Sequence, residues 1–228
     1  MNATVRIAIV VAAALALAAS ASGGVPAPSQ FVARVDNPWF PLAPGSAYVY
    51  KGVEDGKAAR DVVTVTYRTK RIEGVACTVV DDRLYLGGKL AERTTDWYAQ
   101  DETGRVWYFG EATAELEDGR VTSTEGSWQA GRDGAQAGLF MPAHPKLGQV
   151  ARQEYLKGEA QDHFRVADLD GAVETPLTGK RKALVTDEWT PLEPGVLDRK
   201  LYVHGIGLAA EHSVKGGHDR LVLVSFRR

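Results

Sequence analysis

The feature that most restricts the fold of this chain is the alternation of apolar and polar residues along most of its length. From residue 31 onward, no stretch of ten or more residues places apolar side chains at the spacing of an amphipathic helix. Runs with a period of two recur instead, as at Val63, Val65 and Tyr67, and Gly, Asp and Asn bound them. Because strand side chains alternate between two faces, this pattern predicts half-buried β-strands.

The even spacing of the predicted strands narrows the architecture further. A first hairpin is expected from residues 47–50 and 63–67, with its turn at residues 54–57. About ten to twelve short strands at such spacing are typical of a barrel, a sandwich or one strongly curved sheet. We therefore predict an all-β, single-domain antiparallel sheet, a half-barrel or barrel, with few or no helices after the signal peptide.

The N-terminal segment is predicted to direct export. Arg6 precedes an apolar run over residues 7–19, and Ala19, Ser20 and Ala21 fit a small-residue cleavage site. The run is shorter than the ~20 residues that a membrane-spanning helix needs. We predict a signal peptide at residues 1–21, an extended linker at 22–30, a single β domain at 31–228 and a secreted protein, extracellular or periplasmic, with no membrane span after processing.

The composition excludes several classes of function. Lys and Arg number 27 against 29 Asp and Glu, without a basic cluster, which argues against nucleic acid as a partner. The chain has no P-loop, dinucleotide fingerprint or G-x-S-x-G motif, and we expect no cofactor. Its five histidines show no zinc-binding spacing, so no metal is predicted. The single cysteine, Cys77, lies in an apolar run and is interpreted as a buried small hydrophobe.

A hairpin over residues 92–111 carries the densest set of chemically useful side chains. If Gly104 closes a three-residue turn, Tyr98 faces Tyr108 and Asp96 faces Gly110. The missing side chain of Gly110 would leave room for a ligand beside Asp96. This register predicts one face with Asp96, Tyr98 and Tyr108, and an opposite face with Trp97, Trp107, Phe109 and Glu111. A slip of one residue would instead pair Asp96 with Glu111, and a plain core wall with solvent-facing tyrosines is the alternative interpretation.

A second polar cluster follows at residues 152–163. Glu154, Asp162 and His163 offer titratable groups for general acid and base chemistry, and Arg152 offers a fixed positive charge. The candidate catalytic residues are therefore Asp96, Glu154, Asp162 and His163.

Two segments interrupt the strand pattern. Residues 37–45 contain three prolines together with Trp39 and Phe40, so we expect a strap across an open end of the sheet. Residues 126–145 form a glycine-rich stretch that includes Trp128. Long loops of this kind are often functional, and we expect it to close a cavity.

Four motifs, at residues 37–42, 96–101, 106–111 and 126–131, resemble a group of secreted bacterial β-sheet proteins with no known activity. The segments 201–208 and 221–225 are similar to the closing strands of exported proteins that fold as curved half-barrels. The resemblance implies a cradle for lipid or another apolar ligand, although a fold does not determine function.

These observations favour a secreted binding protein that holds a sugar or a moderately apolar small molecule in an aromatic-lined cavity. The predicted ligand-binding residues are Tyr98, Tyr108, Trp128 and Arg152. The alternative is a secreted carbohydrate-active enzyme, either a glycoside hydrolase or a polysaccharide lyase. A hydrolase would use Asp96 with Glu154 or Asp162, and a lyase would use Tyr98 or His163 as base. An envelope assembly factor with a protein partner is a third possibility.

Overall fold

A computed structural model describes residues 24–228, so the predicted signal peptide lies outside the described residues. The all-β prediction is confirmed. A 3₁₀ turn at Pro28–Gln30 precedes sixteen strands. Their bounds are β1 Phe31–Val32, β2 Ala47–Glu54, β3 Lys57–Ile72, β4 Val75–Leu86, β5 Lys89–Asp101, β6 Val106–Glu117, β7 Arg120–Ser123, β8 Trp128–Gln129, β9 Gln136–Met141, β10 Val150–Arg152, β11 Glu154–Tyr155, β12 His163–Thr175, β13 Gly179–Trp189, β14 Leu197–Val203, β15 Gly207–Lys215 and β16 Arg220–Arg227.

The strands form one antiparallel sheet that curls into a nearly closed barrel. Its order is β10-β12-β13-β14-β15-β16-β2-β3-β4-β5-β6-β9-β11, with β1 paired to β5 and with β7 and β8 paired to β6. The two ends of this order, β10 and β11, are separated in sequence by Gln153 alone. One short stretch of chain therefore joins both edges of the sheet, which leaves little edge open to pairing with another chain.

Irregularities in strand pairing let the sheet bend. Pairing shifts occur between Val65 and Thr69 of β3, between Val166 and Gly171 of β12, and between Leu223 and Ser225 of β16. An extra residue on one strand bends that strand and increases its twist. Long strands such as the sixteen-residue β3 can then wrap around the interior.

Both faces of the central β5–β6 hairpin are buried. Trp97, Trp107 and Phe109 are buried as the sequence indicated, and Tyr98 and Tyr108 are buried as well. The alternative interpretation, in which the tyrosines face solvent, is therefore wrong. The curled sheet buries the tyrosines on its inner face, whereas on the outer face Phe31 packs edge-on against Phe109 and Lys70 lies over the Trp97 ring.

Residues 37–45 close one end of the barrel, and we call them the end strap. The Asn37 side-chain amide donates to the carbonyls of Gly104 and Pro142, at 2.8 and 3.0 Å. Farther along, the Gly205 amide donates to the Pro38 carbonyl at 2.7 Å. These bonds attach the end strap to the β5–β6 turn, the end of β9 and the β14–β15 turn.

Cys77 is fully buried, and burial raises the pKa of its thiol to about 12. A thiol with such a pKa is not a nucleophile at neutral pH. No helix within residues 24–228 is long and apolar enough to cross a membrane.

Candidate functional site

A cavity of about 330 Å³ lies inside the barrel, between the sheet and the end strap. We call it the interior cavity. The end strap contributes Phe40, Pro41 and Leu42 to its lining, and the remaining lining residues come from strands around the barrel. Volumes of this size are at the lower end of the range for small-molecule sites, about 300–1,000 Å³.

Nearly every strand around the interior cavity contributes one ionisable side chain. Alternation along each strand aims these groups inward. The groups with acidic or basic side chains from the strands are Asp61 of β3, Asp82 of β4, Asp96 of β5, Glu111 of β6, Glu154 of β11, Glu188 of β13, Lys200 of β14 and Glu211 of β15. Asp162, which is exposed and lies just before β12, adds one more carboxyl group to the seven on these strands.

The register of the central hairpin determines which of its residues reach the interior cavity. Tyr98 pairs with Tyr108, as predicted, but Asp96 pairs with Glu111 and not with Gly110. One residue of β5 between these two pairs is matched by two residues of β6, Phe109 and Gly110. This β-bulge carries Glu111 to the same face as Asp96, so its predicted place on the opposite face is wrong.

The space beside Gly110 does not hold a ligand. The short strand β8 pairs with β6 here, and a Cβ atom at Gly110 would lie 2.3 Å from the carbonyl oxygen of Trp128. The glycine is required because the backbone of β8 approaches so closely, and because its φ is 130°. The predicted gap opposite Asp96 is therefore filled by protein backbone.

One side of the interior cavity is aromatic. The rings of Tyr98 and Tyr108 stack with centroids 4.6 Å apart, and Phe140 of β9 packs edge-on against both. Phe40 of the end strap contacts Tyr98 and Phe140. The Tyr108 hydroxyl donates to Oδ1 of Asp96 at 2.6 Å. The stretch predicted as a loop, residues 126–145, contains β8 and β9 and provides Phe140 to the cavity.

Burial raises the pKa values of several cavity carboxyl groups. It raises the pKa of Asp96 to about 7 and that of Glu111 to about 9, and the nearby Asp82 and Asp96 carboxylates raise the pKa values of Asp96 and Glu111, respectively, further. Burial also raises the pKa of Glu154 to about 8, even though Trp128 donates to its Oε2 at 2.9 Å. Glu111 and Glu154 therefore keep their protons near neutral pH, because burial disfavours their charged forms and neighbouring carboxylates repel a further negative charge.

Asp61 and Asp82 form a second carboxyl pair on the neighbouring strands. Burial raises the pKa of Asp61 to about 6 and that of Asp82 well above its usual range. Oδ1 of Asp61 is buried and meets no hydrogen-bond donor within residues 24–228. The two carboxyl groups can hydrogen-bond to each other only when one of them carries a proton.

The positive charge among the lining residues is neutralised by a carboxylate. Nζ of Lys200 lies 2.9 Å from Oε2 of Glu188, whose Oε1 accepts a hydrogen bond from Thr186. Burial alone would lower the pKa of Lys200, but Glu188 raises it well above its usual value. This ion pair lies on β13 and β14, away from strands β3–β6 in the sheet order.

The structure brings together some of the residues predicted from the sequence and separates others. Asp96, Tyr98, Tyr108, Glu154 and Asp162 all line the interior cavity. The other three do not line it: Trp128, Arg152 and His163. Trp128 is buried behind Tyr108 and Glu154, Arg152 binds the Gln136 side chain, and His163 stacks on Trp189.

Sequence reasoning missed Asp61, Asp82, Glu111, Glu188, Lys200 and Glu211. A signal existed for the last three, because they lie in stretches whose pattern predicts strands, residues 182–189, 200–204 and 208–214, where alternation could have assigned their faces. Within residues 24–228, no group of three or more His, Cys, Asp or Glu side chains is arranged to hold a metal ion. The lining of the interior cavity combines hydrogen-bonding groups, ionisable groups and aromatic rings.

No protein-family model and no curated protein matches the sequence. Two solved structures are similar to this chain. One is a Bacteroides fragilis protein described as exported with a YmcC-like fold, 14% identical, covering 83% of this chain and 99% of its own, with a TM-score of 0.47. The other is described as a lipoprotein of Parabacteroides distasonis, 10% identical, covering 83% and 98%, with a TM-score of 0.43.

Proposed function

We propose that this chain is an exported binding protein that holds one small molecule in the interior cavity. The observation that carries the proposal is a cavity of about 330 Å³ whose lining combines stacked phenol rings with carboxyl groups. Aromatic faces supply contact area, and a few polar groups fix the orientation of a ligand. The N-terminal pattern of Arg6, an apolar run and small residues supports export.

Native mass spectrometry of the protein secreted by a bacterial host tests this function. We expect a stoichiometric non-covalent adduct, because the aromatic and polar groups of the cavity line one space. In the double variant Tyr98→Ala and Tyr108→Ala the adduct should weaken at least tenfold, since both ring faces and the hydroxyl that orients Asp96 are lost.

The matched control is Tyr67→Ala, because Tyr67 is 83% exposed and lies away from the interior cavity. If the double variant does not melt cooperatively, Phe140→Ala removes the ring that contacts both tyrosines and repeats the test. A bare wild-type mass, or an adduct that persists in folded variants, would argue against the proposal.

A secreted glycoside hydrolase is the second candidate function. Asp96, Glu154 and Asp162 line one cavity, and burial raises the pKa values of Asp96 and Glu154 as a general acid requires. The two carboxyl groups of such an enzyme lie about 5–9 Å apart. We expect an enzyme to release reducing ends from a polysaccharide panel and to lose at least 100-fold in rate on Asp96→Asn. Absence of release from every polymer would remove this candidate.

A further inference from the structure

We propose that the ligand of the interior cavity is a small organic cation, bound by the carboxyl groups of Asp61, Asp82, Asp96 and Glu111 and by the stacked rings of Tyr98 and Tyr108. We call the four carboxyl groups the acidic wall. This inference rests on the proposed binding function and names the chemical class of the ligand.

The acidic wall is continuous across four neighbouring strands. Asp96 lies directly opposite Glu111, and Asp82 lies two residues from Val80, the partner of Asp96. Asp61 is similarly two residues from Val63, the partner of Asp82. Direct and diagonal neighbours of this kind are within reach of one another across a sheet. A single ligand in the cavity can therefore meet several of the four groups.

The acidic wall has no counter-ion of its own. Among the lining residues within the described chain, Lys200 is the one with a cationic side chain, and it is paired with Glu188. Asp96 accepts one hydrogen bond, from Tyr108, although it is only 8% exposed. Oδ1 of Asp61 is buried without any donor. Buried carboxyl oxygens normally have partners, and a positively charged ligand rich in N–H groups would supply the donor that Oδ1 of Asp61 lacks unless Asp82 shares its proton with it.

The arrangement favours an organic cation over a metal ion. Metal ions need oxygen ligands converging at about 2.0–2.6 Å on one point. The acidic wall instead spreads its carboxyl groups over β3, β4, β5 and β6, and no metal-binding group of three is present in residues 24–228. An extended amine can place its N–H groups against several carboxylates in turn. The adjacent tyrosine faces would attract its ammonium groups or pack against its methylene groups.

A neutral sugar fits the electrostatics of the acidic wall less well. Sugar hydroxyl groups can donate to these carboxyl groups, but they bring no positive charge to stabilise the ionised forms. An amine supplies both the donors and the charge. The interior cavity, at about 330 Å³, has room for a molecule of the size of a diamine or triamine.

Calorimetric titration of the purified full-length mature protein tests the ligand class. The probes are putrescine, spermidine, glucose and calcium chloride, each at constant ionic strength. We expect saturable one-to-one binding of putrescine or spermidine and no binding of glucose or calcium. Asp82→Asn and Glu111→Gln should each weaken amine binding at least tenfold, because an amide keeps the shape of the side chain but cannot release a proton and form the charged hydrogen bond that a bound ammonium group favours.

Asp81→Asn is the matched control. Asp81 is adjacent to Asp82 on β4 but points to the opposite face, where it binds Arg68 at 2.6 Å. We expect this variant to bind amines like the wild type. Equal weakening in Asp81→Asn and Asp82→Asn would reveal binding to the outer surface and would overturn the inference.

The outcomes separate this inference from the proposed function. Two results would overturn the proposal that the ligand is an organic cation while leaving the binding function intact. One is saturable binding of glucose or calcium alone, and the other is a native mass that identifies the bound molecule as one without an amino group. Failure of all four probes together with a bare native mass would overturn both. If Asp82→Asn or Glu111→Gln does not melt cooperatively, the binding test is repeated with Asp61→Asn, whose side chain lies at the other end of the acidic wall.

Discussion

The empty protein is expected to lose stability steadily as the pH rises from 5 to 9. Burial raises the pKa values of Asp61, Asp96, Glu154 and Glu111 to about 6, 7, 8 and 9. A carboxyl group whose pKa is higher in the folded state stabilises that state while it is protonated. Its contribution is complete below the unfolded pKa near 4 and is lost as the pH rises through the folded pKa.

The expected size of this effect is large. Each pH unit between the unfolded and folded pKa changes the free energy of unfolding by about 1.4 kcal/mol per group. Water reaching the cavity and proton sharing between neighbours reduce the sum, so we expect a total loss of about 5 kcal/mol between pH 5 and pH 9. The remaining ionisable groups facing this space are Asp82, Asp162, Glu188, Lys200 and Glu211 together with Tyr48, Tyr50, Tyr98 and Tyr108.

Urea unfolding at pH 5, 7 and 9 measures the loss directly. Glu111→Gln is the decisive variant because the pKa of Glu111 is raised the furthest of those four, to about 9. The amide cannot ionise, so this variant should retain about 2 kcal/mol more of its stability at pH 9 than the wild type. Parallel pH profiles for the two proteins would contradict the buried position of Glu111.

Two other carboxyl groups determine how the stability of the protein falls at low pH. Burial alone would raise the pKa values of Asp101 and Asp187, but hydrogen bonds and nearby arginines lower both below their usual range. Asp101 accepts from Trp107 and Arg105, and Asp187 binds Arg165 and Arg199. Their contributions are present above the unfolded pKa and are lost as the pH falls through the folded pKa. The two sets together place the maximum of stability near pH 5.

The fold class could be predicted from the sequence because alternation is a local property. The patterns at residues 90–99, 182–189, 208–214 and 221–226 predict strands, and strands are present at all four, since period-two burial needs no knowledge of the partner strand. The order of strands could not be predicted in this way. It depends on β10 and β11 reaching opposite edges of the sheet, and strands of two or three residues leave almost no trace in the sequence.

The acidic wall was missed for two physical reasons. Asp81, Asp82 and Arg83 resemble a break between two short strands, yet β4 continues through them and turns Asp82 inward. Glu111 was assigned to the wrong face because a β-bulge reverses the parity of every residue beyond it. A glycine within a strand is a signal of such a bulge, and Gly110 provided it. The tyrosines before the bulge were consequently placed correctly.

Gly110→Ala is expected to be strongly destabilising, because the added Cβ atom would clash with β8 and would also be strained by the backbone conformation of the bulge. The added Cβ would lie 2.3 Å from the Trp128 carbonyl oxygen and 2.8 Å from Cα of Gln129, so β8 must move. The φ of 130° is also unfavourable for any residue with a side chain. We expect a loss of about 4 kcal/mol, which corresponds to a fall of roughly 10 °C in Tm.

Gly119→Ala separates the two causes. Gly119 also has a positive φ, 79°, but a Cβ there would meet open space. It should therefore show only the backbone penalty, about 1–2 kcal/mol. Thermal melts of both variants give the difference, which measures the close approach of β8 to the bulge. Because that approach holds Glu111 on the cavity face and Trp128 against Glu154, folded Gly110→Ala protein should also bind amines more weakly. Equal melting temperatures in the two variants would mean that the register pairing Asp96 with Glu111 is incorrect, and the acidic wall would lose its fourth member.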